Sequence, residues 1–265
     1  MIKEEYEVLY NLEEKYWWFL GRKNVALSML ERNLSPQQNS PQQNFTILDA
    51  GCGTGKNMEY LQKYGKVHGL DFSEEALQFC RKRGLKNLMQ GEIEHLPYED
   101  NTFDLVTCFG VLYHQGIKDD FKAIQELQRV CKPGGFVLIT TPAGEFLTSR
   151  FFLSQHDKNQ HTARRHSKSK LKRLLTESGL KVREISYMNM FLMPFIVCVR
   201  LMKNFFGALF FREKEFKSEL QIPPRFINTS LLSLLQFENK LVKKCSLPFG
   251  LTLVSLSQKP ENKHH

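Results

Sequence analysis

Apolar side chains recur at helical spacing through residues 1–34, with Gly21 the only glycine or proline inside the run, and this predicts helix. The next ten residues, SPQQNSPQQN (35–44), are polar, repetitive and broken by two prolines, so they are expected to form a linker or surface loop outside any core. From Phe45 the pattern changes. Short β-rich runs, FTILDA (45–50), KVHGLD (66–71), FDLVTC (103–108) and GFVLITT (135–141), alternate with amphipathic stretches near 55–64, 73–83 and 117–131. Strands separated by helices of that length imply βαβ units and a parallel sheet, so the fold class is α/β. A further helix is expected over 167–179, with Ser167 as N-cap and Gly179 at its end. The strand KVREISY (181–187) follows it, and LTLVSLS (251–257) is the last strand candidate.

Residues 188–250 exceed what such a sheet needs and read as a helical cap inserted before the last strand. The expected organisation is therefore a helical lid (1–34), the linker (35–44), a nucleotide-binding domain (45–187), the cap (188–250) and a closing strand and tail (251–265). The cap opens on MNMFLMPFIVCVRLMKNFFGALFF (188–211), almost wholly apolar but interrupted by Pro194, Arg200 and Lys203. A membrane-spanning helix needs about 20 apolar residues without central charges, so this run is not read as one.

A length of 265 residues suits one core with an appended piece. Hydrophobic residues at 42% and charged residues at 25% argue against wholesale disorder and against a polytopic membrane protein. The start, MIKEEYEVLY, has glutamates where a secretory signal has basic residues and an apolar run, so a cytoplasmic location is expected. Six scattered cysteines form no C-x-x-C pair and no metal-ligand spacing, which predicts reduced thiols and no metal. Charge is uneven: residues 1–145 hold 16 Lys and Arg against 20 Asp and Glu, whereas residues 146–265 hold 21 against 8. A basic second half suits an anionic partner such as a phosphate, a nucleic acid or a lipid surface, or is simply a solvated face.

The strongest chemical signal is ILDAGCGTG (47–55), a buried strand ending in Asp49 and running into Gly51, Gly53 and Gly55. Glycines at alternate positions let backbone turn tightly and approach a ligand. A dinucleotide loop reads G-x-G-x-x-G and presents a helix N-terminus to a pyrophosphate, and the spacing here differs. About twenty residues on, VHGLDFS (67–73) ends a second strand with Asp71, where a carboxylate accepts from ribose hydroxyls; Ser73 already supplies the helix cap. GEIEHLP (91–97), TCFGVLYHQ (107–115) and ELQRVCKPGGFVLITTP (126–142) continue the pattern. Together these motifs, spanning about 45–142, resemble the class I S-adenosylmethionine-dependent methyltransferases, in particular the group that includes ubiquinone-biosynthesis O-methyltransferases.

The resemblance implies a Rossmann-like, seven-stranded, mostly parallel sheet with helices on both faces, and S-adenosyl-L-methionine as cofactor. It implies cofactor contacts at Asp49, Gly51, Gly53, Gly55, Asp71 and Phe72, with Glu92 and Ile93 in the loop that reads adenine and Phe109 after the fourth strand. Glu92 stands where aspartate is commoner. In YWWFLGRK (16–23) the resemblance gives Arg22 to the cofactor carboxylate, as a guanidinium–carboxylate pair, and Tyr16, Trp17 and Trp18 to the acceptor. The alternative for these residues is helix packing. His114 is the candidate base and Tyr113 a weaker neighbour, while His161 and Arg164, beside Arg165, resemble a loop closing over the acceptor.

The implied activity is in-line methyl transfer to a small-molecule or lipid-linked acceptor at oxygen, with proximity supplying most of the rate. The apolar run at 188–211 and the basic second half add an expected peripheral contact with anionic membrane, against the alternative that the run packs inside the cap. Nucleic-acid methylation is disfavoured because no Asn-Pro-Pro-Tyr-type string follows the fourth strand. A non-catalytic subunit keeping the fold is the third reading. No oligomeric state is assigned.

Overall fold

The computed structural model describes residues 3–34, 45–144, 164–196, 198 and 222–261. The linker at 35–44, His161, Arg200, Lys203 and most of the apolar run at 188–211 lie outside the described residues. Where one helical segment is expected over 1–34, two helices stand, α1 (Lys3–Leu12) and α2 (Trp17–Asn33). Tyr16 between them is extended (φ −81°, ψ 123°). The break has a packing cause. Tyr6 of α1 joins a small cluster with Ala76 and Phe79, while Val25, Met29 and Leu30 of α2 enter the main core, two directions that one straight helix does not serve.

The chain then alternates. β1 (Phe45–Ala50), α3 (Lys56–Leu61), β2 (Gly65–Asp71), α4 (Glu74–Lys82), β3 (Leu88–Gln90), β4 (Phe103–Phe109), α5 (Asp120–Val130) and β5 (Cys131–Pro142) come first. α6 (Lys168–Glu177), β6 (Lys181–Met188), α7 (Arg225–Val242) and β7 (Thr252–Gln258) follow. The seven strands are ordered β3-β2-β1-β4-β5-β7-β6. β7 is antiparallel to both β5 and β6, and the pairs from β3 to β5 are parallel. Six of these strands coincide with the β-rich runs of the sequence. β3 does not, since LMQ at the sheet edge is three residues long with no buried side chain.

Strand order reverses between β1 and β4. Right-handed crossovers therefore carry the helices of the two halves to opposite faces and leave a crevice at the carboxyl ends of the strands. Ile47, Leu48 and Ala50 of β1 are fully buried at that point, as expected for a central strand covered on both faces.

The cap helix α7 lies along α2. Asn228 Oδ1 accepts the Trp17 amide at 3.1 Å, its Nδ2 donates to the Lys15 carbonyl at 2.8 Å, and Arg32 Nη1 donates to the Val242 carbonyl at 2.5 Å. At its middle Leu235 meets Gly21 so closely that a Cβ on Gly21 would stand 2.0 Å from Leu235 Cδ1 and 2.9 Å from its Cβ. Gly21 thus permits the helix contact. Glu238, the one acid of α7, is fully buried and accepts from the Asn189, Met190 and Phe191 amides, tying the helix to the turn after β6. Gly21→Ala is expected to destabilise by about 1–3 kcal/mol although alanine favours helix by about 1 kcal/mol. In a Leu235→Ala background the same change should cost less. Denaturant unfolding of the double-mutant cycle checks this, and additive losses would remove the contact from the account.

Candidate active site

The carboxyl ends of β1, β2 and β4 open into a cavity of about 630 Å³, closed on its other side by α1, the turn after it and the start of α2. Gly51, Cys52 and Gly53 form part of its wall. Gly53 is left-handed (φ 55°), and a Cβ built on it meets nothing within 4 Å, so its backbone faces open space. Gly51 has a different reason to be glycine, because a Cβ there would strike Val111 Cγ2 at 2.3 Å. Gly55 packs against Leu85 and Cys80 and does not line the cavity.

Asp71, 6% exposed, fixes this loop. Its Oδ2 accepts the Gly53 amide at 2.8 Å and its Oδ1 the Ser73 amide at 3.0 Å. Burial raises its pKa, and the amides of Ser73, Gly53 and Phe72 oppose that rise. Each carboxylate oxygen keeps acceptor capacity towards the cavity, which Asp71 lines. Phe72, 54% exposed, and Phe109, nearly buried, stand on the same wall with Ile93 and the exposed Glu92.

Asp49 is placed differently from the sequence expectation. It is completely buried behind the loop and is not part of the wall. Its Oδ1 accepts the Thr107 hydroxyl at 2.7 Å and its Oδ2 has no hydrogen-bond partner. Burial pushes its pKa up to about 7; the Thr107 hydrogen bond and Arg22 oppose the rise and Asp71 adds to it.

Arg22 does reach the cavity, from α2. Gly110, left-handed at φ 73°, leaves room for it, since a Cβ there would lie 3.0 Å from Arg22 Nη1. Among the described residues no carboxylate forms an ion pair with Arg22. Burial lowers its pKa, against the influence of Tyr113, Glu13 and Asp49. A half-buried guanidinium without an ion pair has donors free to meet an anion.

Tyr113 and His114 also line the cavity. His114 tilts against Phe72 with ring centroids 6.2 Å apart, and its Nδ1 accepts the Gly116 amide at 3.1 Å. In that arrangement a neutral ring carries its proton on Nε2, so a base role requires the Gly116 bond to open.

The remaining acceptor candidates among the described residues are not at the cavity. Tyr16, Trp17 and Trp18 pack with Leu192, Ile196, Leu231 and Leu235 of the cap, because the aromatic stripe of α2 faces α7. Arg164 pairs with Asp120 and donates to the Ile117 carbonyl at 2.6 Å. Asp120 also holds the buried His166 at 2.8 Å, so Arg164 belongs to a cluster that anchors the chain before α6. Glu13 is a charged wall residue that the sequence did not single out. Adjacent glutamates, Glu13 and Glu14, stand in the turn after α1, and only the fold shows that the first turns inward while the second stays exposed.

Comparison with known proteins gives a consistent picture. A family model described as a methyltransferase domain matches residues 48–139. A demethylmenaquinone methyltransferase from Staphylococcus epidermidis is 33% identical over 150 residues, covering 52% of this chain and 55% of the relative. A tRNA (carboxymethyluridine(34)-5-O)-methyltransferase from Arabidopsis thaliana is 41% identical over 100 residues, covering 37% of this chain and 24% of the relative. The chain thus spans less than two thirds of the length of these curated relatives. A chain from the complex between the Haloferax volcanii Trm112 methyltransferase activator and a methyltransferase superposes with a TM-score of 0.59 over 100% of both chains at 18% identity, a likeness of fold.

The buried Asp49 gives a stability test. An unfolded aspartate releases its proton near pH 4, whereas the folded one holds it up to about 7. Across that window the folded state binds the extra proton, so this group's contribution to stability falls as pH rises and levels off above about 7. Asp49→Asn, which keeps an oxygen for the Thr107 hydroxyl, should give a Tm that declines less from about pH 4 to 7. Parallel Tm profiles for variant and parent contradict the assignment.

Proposed function

We propose that this chain, which belongs to the class I S-adenosylmethionine-dependent methyltransferases by its domain at residues 48–139, transfers a methyl group to a small-molecule or lipid-linked acceptor at oxygen. The observation that carries this reading is the cavity that has Asp71 and the open Gly53 backbone on one wall and Arg22, without an ion pair, on another. Those features fit a ligand with ribose hydroxyls and a carboxylate. A pyrophosphate is a poorer fit beside the carboxylate of Asp71.

Asp71 would hold the ribose, Phe72, Ile93 and Glu92 would flank the base, and Arg22 would receive the carboxylate. When bound, the cofactor supplies an electrophilic methyl group. The chain's own part is to bind and orient the acceptor and to exclude water, for which Phe19, Phe109 and Tyr113 provide aromatic wall. His114 would take the acceptor proton once the Gly116 amide releases its Nδ1.

The lipid-linked alternative draws on the cap surface. Phe195 and Phe226 are 69% and 72% exposed, Arg225 beside Phe226 is exposed, and so are Lys240, Lys243 and Lys244 at the other end of α7, while Glu238 is buried. Among the described residues no helix is long and apolar enough to cross a membrane. Exposed apolar and basic residues on the cap suit peripheral contact with anionic lipid, with about 1 kcal/mol per basic residue near the surface. A nucleic-acid acceptor is the second reading, favoured by the likeness to the Arabidopsis tRNA methyltransferase and by the basic second half of the chain. Incubating lipid extract and RNA separately with isotopically labelled cofactor separates the two.

Two substitutions test the site. Asp71→Ala should weaken S-adenosylhomocysteine binding by about 1.5–3 kcal/mol in calorimetry, and unchanged affinity in a folded variant removes Asp71 from the site. His114→Ala should leave that affinity nearly intact and lower turnover by about 10²–10⁴-fold; a loss below about threefold reassigns His114 to packing. For the cap, the protein should co-sediment with anionic vesicles at low salt, and Phe226→Ser with Lys244→Glu should reduce this. Protein that stays in the supernatant rules the membrane contact out.

A further inference from the structure

The mixed-charge end of the cavity contains one group that the reading above does not use. Glu13 is 8% exposed and lines the cavity from the turn after α1. Its Oε2 accepts the Thr54 hydroxyl of the glycine loop and lies 3.3 Å from Arg83 Nη2. Its Oε1 has no hydrogen-bond partner among the described residues. Arg83 holds this corner rigid: its Nε donates to the Thr54 carbonyl at 2.9 Å, its Nη2 to the Tyr10 carbonyl at 3.2 Å, and its guanidinium lies 4.2 Å from the centre of the Tyr10 ring. The turn after α1, the glycine loop and the end of α4 therefore meet at one carboxylate with one oxygen left over.

We propose that Glu13 is the direct receptor for a cationic amino group of the ligand, so that Glu13 and Arg22 together recognise a zwitterionic amino-acid end. Asp49, the acid of the glycine motif, is completely buried behind the loop and absent from the wall, whereas Glu13 is on the wall. The charge balance points the same way. Burial pushes the Glu13 pKa up to about 7 even though Thr54, Arg83, Arg22 and Lys56 all favour its charged form, so the ionised carboxylate still lacks compensation that an ammonium would supply. An oxygen fixed by Thr54 and Arg83 needs little reorganisation to accept that ammonium.

The inference rests on the cavity being the S-adenosylmethionine site, and two ligands separate it from that reading. S-adenosylhomocysteine carries the amino-acid end, and 5′-methylthioadenosine lacks it while keeping the nucleoside. Calorimetry of the whole protein with both ligands, for the parent and for Glu13→Gln, is the test. Glutamine retains an oxygen for Thr54 and loses the charge. The expected result is a loss of about 10- to 100-fold in affinity for S-adenosylhomocysteine with methylthioadenosine unchanged within about twofold. Methylthioadenosine binding also reports that the variant is folded. Equal losses for both ligands, including loss of all binding, assign Glu13 to holding the loop and overturn the proposal, as does no change for either. Failure of the parent to bind either ligand overturns the cofactor reading itself, a distinct outcome.

Discussion

The carboxylate of Asp71 accepting the Gly53 amide at 2.8 Å is the contact on which the site depends. It joins the end of β2 to the loop that leaves β1, two segments eighteen residues apart, and fixes the left-handed backbone at Gly53. The Gly51 and Cys52 amides donate to the Leu70 carbonyl at 2.7 and 2.9 Å, so the loop is sewn to β2 just before Asp71 as well. With the loop fixed, Thr54 can reach Glu13 and Arg83 can reach both, and the helices before the sheet are brought down over the cavity. Removing the carboxylate therefore changes the shape of the wall as well as the proposed ligand contact.

The division of labour along the chain follows from strand order. The reversal between β1 and β4 makes the crevice, and the nucleotide-type residues cluster there because each follows a strand that ends at it. The cap is built on a different logic. α7 is attached to α2 by Asn228, Leu235 and Arg32, and α2 also delivers Phe19 and Arg22 to the cavity. One helix thus touches cap and cavity on different faces. This gives the cap a mechanical link to the cavity wall through α2.

Much of this was legible in the sequence, and the failures have physical causes. Buried strands such as FTILDA and FDLVTC are short runs rich in apolar and β-branched residues, set between turn residues, so their positions can be read from the sequence pattern. The edge strand β3 has no such run because its side chains are only partly covered. The aromatic trio Tyr16, Trp17 and Trp18 looks the same in sequence whether it faces a ligand or a partner helix, and α7 lies more than 200 residues away. Arg164 reads as a free basic residue until the fold brings Asp120 to it from 44 positions upstream. Asp49 is identifiable as the acid of the motif, but its depth behind the loop is a tertiary fact, and Glu13 could be told from Glu14 only once the break between α1 and α2 set which of them points inward.

The central claim is that the cavity between the glycine loop and the first two helices is an S-adenosylmethionine site. Titration calorimetry of the unmodified protein against S-adenosylhomocysteine and, side by side, against NAD tests it most directly. The account predicts saturable binding of S-adenosylhomocysteine at one site per chain and no measurable binding of NAD. Binding of NAD without S-adenosylhomocysteine, or of neither, would contradict it.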